Sequence, residues 1–202
     1  MCHAFLYAAS FWQLLTAADH EIADAARAKG CVCGGRLHSA GYPRKPRGVP
    51  RALLGTDYEK RLSLCCNQDG CRRRCTPPSV RYFGRRVYLG VMVTLATAVE
   101  HGLSPSRRRR LIEQLGVSPR TVERWVRDWR ERLPATRLWT ELRGRLASPL
   151  MPTQLPGALL GAVQGEDLAR RLQHVLVLLM PLSSGSCAHC ERVAMLPQKM
   201  PL

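Results

Sequence analysis

Six of the nine cysteines in this 202-residue chain lie between positions 31 and 75, and that crowding constrains the fold more than any other feature. The run Cys31-Val32-Cys33-Gly34-Gly35 is followed, about 30 residues on, by Cys65-Cys66, Cys71 and Cys75. Two close cysteine pairs separated by a loop suit a tetrahedral Zn²⁺: each pair forms a turn that offers two thiolates, and the metal ties the turns together. Gly34 and Gly35 fit such a turn, because glycine lets backbone amides swing toward sulfur at little steric cost. The spacing assigns Cys31, Cys33, Cys66 and Cys71 as ligands, with Cys65, Cys75 and His38 open as substitutes. The first pair is C-x-C where C-x-x-C is more usual, and the second can be drawn in several ways. The expected role is structural, since a catalytic zinc keeps an open position and usually carries His or carboxylate ligands. The competing reading is reduced cysteines packed as small apolar residues. With no export signal, the cysteines are expected to stay reduced. Cys187-Ala188-His189-Cys190 has no partner pair nearby and reads as incidental.

Charge is the second constraint. The formal net charge is +16. Residues 31–145 carry 25 basic and 9 acidic side chains, whereas the flanks carry 6 of each and cancel. A localised excess of this size attracts a polyanion, and nucleic acid is the commonest such partner. Of the 31 basic residues 27 are Arg, the side chain suited to bidentate contacts with phosphate and guanine. A GC-rich genome also enriches Arg, but does not cluster it. The longest apolar run near the end, Val175 to Met180, is far short of the roughly 20 residues of a membrane span.

Periodicity predicts a mainly α fold. Phe11 to Lys29 reads as an amphipathic helix with Leu14, Leu15, Ala18, Ile22 and Ala25 inward and Gly30 as its stop. Residues 31–84 change to a small zinc-ribbon-like β module, with strands expected at Arg61–Cys65 and Ser79–Phe83. Val87 to His101 is helical in spacing. Ser104-Pro105 and Ser118-Pro119 each pair an N-cap with proline at the first helical position, and so open helices to Leu115 and to about Leu133. Thr136 to Leu146, Gly157 to Val163 and Glu166 to Leu179 read as C-terminal helices, with Ser148 to Pro156 as a linker and 181–202 as a loose tail. The expected organisation is an N-terminal helix (1–30), the β module (31–84), a three-helix helix-turn-helix domain (85–135) and C-terminal helices (136–180).

The segment SPSRRRRLIEQLGVSPRTVERWVRDWRERL carries the functional signal. Leu111, Ile112 and Leu115 face inward from one helix, and Val122, Trp125, Val126 and Trp129 from the next. Gly116-Val117-Ser118 supplies the tight turn that sets two helices at a steep angle. A recognition helix reads base edges with its first turns while its amide end approaches phosphate. Arg120, Thr121 and Arg124 are therefore the base-reading candidates, Ser118 a phosphate contact, and Arg127 part of the same face. Arg107, Arg108, Arg109 and Arg110 would lie along the backbone. The competing reading is a three-helix core with a solvated basic face. Gly41 to Pro50 is proline-stiffened, and its Arg44, Lys45 and Arg47 suit an arm that follows a groove; a solvated loop is the alternative. Arg72 to Arg74, among the cysteines, are further phosphate candidates.

Cysteine knuckles followed by CRRRCTPPSVRYFGRRVYL and then LGVSPRTVERWVRDW resemble the N-terminal DNA-recognition part of bacterial insertion-sequence transposases and their small accessory proteins. There a zinc ribbon precedes a helix-turn-helix. The resemblance covers roughly residues 30–135 and implies recognition of transposon ends on double-stranded DNA. It also implies a cytoplasmic, nucleoid-associated place and a separate catalytic transposase subunit as partner. The chain departs from such transposases in one respect. They continue into a ribonuclease-H-like domain with three metal-binding carboxylates, whereas only 57 residues follow Arg145 here, with Glu166, Asp167 and Glu191 as their sole acids. A non-catalytic accessory protein or truncated transposase is thus expected. The rivals are a helix-turn-helix transcription regulator, which would act as a homodimer, a small zinc-dependent nuclease, and a zinc-dependent protein-interaction module.

Overall fold

Helix α1 (Ala9–Lys29) opens the computed structural model, which describes residues 9–44, 56–83, 86–87, 104–106, 109, 112–113, 118–144 and 150–183. Helices dominate, with small antiparallel ladders between them. Gly30, at φ +71°, ends α1 in a conformation that costs glycine little. The inward stripe of α1 differs from the one expected. Phe11, Trp12, Leu15, Asp19, Ala23 and Ala26 are buried, whereas Ala25 is exposed and Leu14, Ala18 and Ile22 are half-buried. The helix is rotated by about one residue, which brings a carboxylate inside.

That carboxylate explains the rotation. Asp19 is 2% exposed; its Oδ2 accepts from Arg81 Nε at 2.7 Å and from the Ser79 hydroxyl, and its Oδ1 accepts from the Val80 amide at 2.7 Å. Arg81 in turn donates to the carbonyls of Asp57, Tyr58 and Lys60 at 3.2–3.3 Å and lies over the Tyr58 and Tyr82 rings. The Ser79 amide donates to Ser183 Oγ at 2.9 Å. One buried network thus joins α1, residues 57–60, residues 79–82 and the C-terminal Ser183. Burying a charge is tolerable only when it is paired and hydrogen-bonded, and both conditions hold here.

The largest ladder is three-stranded in the order β1–β4–β5, from β1 (Leu37–Ser39), β4 (Leu64–Cys66) and β5 (Arg74–Cys75). Its register pairs Leu37 with Cys66, His38 with Cys65, and Cys65 with Arg74. β2 (Tyr42–Pro43) pairs with β3 (Lys60–Arg61), and β6 (Tyr82–Phe83) with β7 (Arg86–Val87). The single strand expected at Arg61–Cys65 is therefore split into β3 and β4, and only the end of Ser79–Phe83 is extended in a ladder. The cause is the buried side chains in between, since Arg61 and Ser63 turn to bond Pro77 O and Thr76 Oγ1.

Helix α2 (Pro119–Arg127) continues through a π-helical turn, Asp128–Arg132, closed by the Leu133 amide on Asp128 O at 2.9 Å. Val122, Trp125, Trp129 and Leu133 are buried along this segment, so the tryptophans serve the core, as helical phase suggests. Before it, residues 105–106, 109 and 112–113 are helical, and Ile112 packs against the core. The expected helix 87–101 (beyond Val87) and the Gly116-Val117 turn lie outside the described residues. Helix α3 (Arg137–Arg143) is capped by Thr136 Oγ1, which accepts from Trp139 N at 3.1 Å; α5 (Leu168–Leu179) is capped by Asp167, which accepts from Arg170 N. Between them lies α4 (Gly157–Gly161). Two expectations need correction here. Leu155, in the stretch read as a linker, is 2% exposed in the core, and the supposedly loose 181–183 includes buried Ser183. Residues 184–202 lie outside the described residues.

Two apolar clusters result. The larger gathers Phe11, Trp12 and Leu15 of α1 with Val122, Trp125, Trp129, Trp139, Leu159, Leu172 and Leu176. The smaller holds, among the described residues, Ala26, Leu37, Leu64 and Cys66, with Cys31, Cys71 and Cys75 against it. No helix among the described residues is long and apolar enough to cross a membrane.

Candidate functional site

Around the smaller cluster the sulfurs of Cys31, Cys33, Cys66 and Cys71 lie within 4.8 Å of one another. Cys31 Sγ and Cys71 Sγ are 3.8 Å apart, and Cys33 Sγ and Cys66 Sγ 3.5 Å. A disulfide holds its sulfurs at about 2.05 Å. Four sulfurs each about 2.3 Å from one metal ion at tetrahedral angles are about 3.8 Å apart. The spacing fits a shared metal and excludes disulfides within the quartet. Four cysteines therefore converge where a metal ion can be held.

Local backbone geometry makes the convergence. Gly34 at φ +83° and Arg72 at φ +44° each follow a cysteine of the quartet in the left-handed region, and so turn the next amide back on the sulfur. The Gly35 amide bonds Cys33, the Gln68 amide bonds Cys66 at 3.4 Å, and the Arg73 amide bonds Cys71. The same two-residue offset recurs three times. The two halves are joined where the Arg36 amide donates to Asn67 Oδ1 and the Asn67 amide to Arg36 O, both at 2.9 Å. Gly35 is also required sterically, because a Cβ there would stand 2.6 Å from Cys66 Sγ.

The electrostatics point the same way. The Gly35 amide, then the Cys66, Cys71 and Cys31 sulfurs, bring the Cys33 thiol down to about 7. At Cys66 the Gln68 amide pulls down, but burial and the neighbouring sulfurs together outweigh it and push the thiol up to about 12. At Cys71 the Arg73 amide pulls down and is outweighed by Cys33, burial and Cys31, so the thiol is raised. Negative charge is favoured on Cys33 and resisted on Cys66 and Cys71. A cation at the centre supplies what four thiolates need.

The alternatives left open by spacing are settled by strand alternation. Cys65 and His38 are cross-strand partners on the opposite face of the ladder from Cys66. Cys75 is disulfide-bonded, so the expectation that every cysteine stays reduced does not extend to it.

Of the basic residues singled out by sequence, Arg120, Arg124 and Arg127 are exposed on α2, opposite buried Val122 and Trp125, and Arg109 is exposed and helical. Ser118 stands at the N-cap, its hydroxyl 3.0 Å from Thr121 Oγ1 rather than on a backbone amide. Thr121 is half-buried. Arg44 is half-buried, with its guanidinium 5.1 Å over the Tyr42 ring. Lys45, Arg47, Arg107, Arg108 and Arg110 lie outside the described residues. Sequence reasoning missed Gln68 and Arg73 as sulfur-bonding amides and the Asp19–Arg81 pair. Asp19 sits four residues from both Leu15 and Ala23, and that placement within an apolar stripe is the signal that could have found it. No protein-family model, curated protein or solved structure matches the chain.

Proposed function

We propose that the chain is a zinc-stabilised DNA-binding protein in which a zinc ribbon supports a helix-turn-helix and α2 is the recognition helix. The observation that carries the reading is the division of α2: Val122 and Trp125 are buried while Arg120, Arg124 and Arg127 face solvent. Bidentate arginines on the first turns of an exposed helix suit guanine edges in the major groove. The charge excess of residues 31–145 supplies the sequence-independent attraction. Zinc is the metal assigned, because four thiolates at tetrahedral spacing with amide hydrogen bonds to sulfur make a closed structural site. By its resemblance to insertion-sequence proteins, the duplex target is a transposon end, and the role is non-catalytic: an accessory protein or truncated transposase beside a separate catalytic subunit.

Selection of bound sequences from a random duplex pool with the zinc-loaded protein tests this. One recovered motif is expected, bound more weakly after chelation. Arg124→Ala should cost about 1–3 kcal/mol on that motif and relax preference at one position. Equal loss on the motif and on random duplex would remove α2 from the role of reader.

A further inference from the structure

The three-stranded ladder has two unlike faces. Leu37, Leu64 and Cys66 are buried on one, packed with Ala26 of α1 beside the metal centre. On the other, cross-strand pairing places His38, Cys65 and Arg74 in one row, since directly paired residues share a face. Arg36 pairs with Asn67 just beyond the ladder and stands two residues from His38, on the same face. Arg36, His38, Asn67 and Arg74 are exposed, and Cys65 is half-buried at the centre. The acid in the adjoining turn, Asp69, is taken up by Arg72 at 2.5 Å. Among the described residues neither Arg36 nor Arg74 pairs with an acid, and both present their charge outward from a sheet whose other side lines the cysteine quartet.

We infer that this outer face is a second contact surface for duplex DNA, on which Arg36 and Arg74 bind phosphates of the two backbones while α2 reads bases elsewhere. The inference rests on the DNA-binding reading above. Two strand spacings separate the edge strands, roughly 10 Å, close to the width of a major groove, about 12 Å. With the outer face of the ladder laid across the groove mouth, cations on its two edge strands meet opposite backbones. An acidic protein surface offers no such pair of parallel charged walls, which favours duplex over polypeptide.

Cys65 gives a built-in probe. In the zinc-loaded protein the four ligand thiols are held by metal, and the rate of Cys65 alkylation by iodoacetamide, read by peptide mass spectrometry, reports access to this face. Bound duplex should slow it at least tenfold. The double variant Arg36→Ala/Arg74→Ala, with unchanged zinc content, should bind every duplex more weakly, and its log K against log salt slope should fall by about 1.8, two phosphate contacts at about 0.9 each. Arg36→Lys/Arg74→Lys should restore the slope. The inference fails if DNA binds with a motif that depends on Arg124 but leaves both the Cys65 rate and the salt slope unchanged; the reading of α2 then stands. It fails too if polyglutamate protects Cys65 as well as duplex does. If the unmodified protein binds no duplex, the DNA-binding reading itself falls and takes this surface with it.

Discussion

A single methyl group at Gly35 would intrude on the four-sulfur site. Its neighbour Gly34 adopts a positive φ, yet a Cβ there meets open space, whereas at Gly35 it would stand 2.6 Å from the Cys66 sulfur. The two glycines look equivalent in the sequence and are not equivalent in physics: Gly34 answers a backbone requirement and Gly35 the approach of the Cys66 sulfur. Gly35→Ala must move Cys66 Sγ or the Gly35 amide that bonds Cys33, and either change disorders the tetrahedron. Disturbing a group that orients a ligand typically costs about 10- to 100-fold in metal affinity, and this is the loss expected when zinc affinity is measured by competition with a colorimetric chelator. Gly34→Ala strains the turn by about 1–2 kcal/mol, yet leaves the sulfurs where they are. An affinity for zinc in Gly35→Ala equal to that of the unsubstituted protein would mean that the close approach does not govern the centre.

Between elements, the Asp19–Arg81 pair is the counterpart of that contact. Exposed pairs such as Arg137–Glu141 at 3.0 Å contribute about 0–1 kcal/mol. Asp19 and Arg81 are both almost fully buried, and Arg81 also binds three backbone carbonyls of residues 57–60. Asp19→Asn removes the charge without opening a cavity and leaves the guanidinium buried and uncompensated. About 3–5 kcal/mol of stability should be lost, as read from urea unfolding followed by tryptophan fluorescence; a loss below 1 kcal/mol would show that the carbonyls alone satisfy Arg81. The same pair shows where sequence reading stops. The extents of the described helices were largely legible, because the Ser118-Pro119 start, Gly30 and Pro134 act locally. The rotation of α1 was not, because an aspartate is assigned outward unless its partner, 62 residues away, is known. The cysteine quartet was legible as a set of types and spacings, but the choice of Cys66 over Cys65 depended on strand alternation, which spacing leaves undetermined.

At the scale of the whole molecule, the two apolar clusters are held by different physics. The larger draws on α1, α2, α3, α4 and α5 with four tryptophans, and needs no metal. The smaller has, among the described residues, four buried members, one of them a cysteine of the quartet, too few to offset the entropy of ordering three strands without the tie a shared metal would supply. Helix α1 spans both, with Phe11 to Leu15 in the larger and Ala26 in the smaller. Chelation should therefore melt the molecule in part. Amides of β1, β4 and β5 and of the last turn of α1 should lose protection from hydrogen exchange, while those of α2 and α5 keep theirs, and reloading with zinc should restore the difference. The Asp19–Arg81 network marks the boundary, because it holds residues 57–60, between the cysteine pairs, and residues 79–82, beyond them, to the larger core. Uniform loss of protection on chelation would show one cooperative unit with the metal at its root. The expected partial loss bears on the proposed DNA binding: with α2 still folded without zinc, chelation should weaken the proposed duplex binding by removing the proposed phosphate contacts of the cysteine-bearing ladder, yet leave the order of preference among sequences as it was.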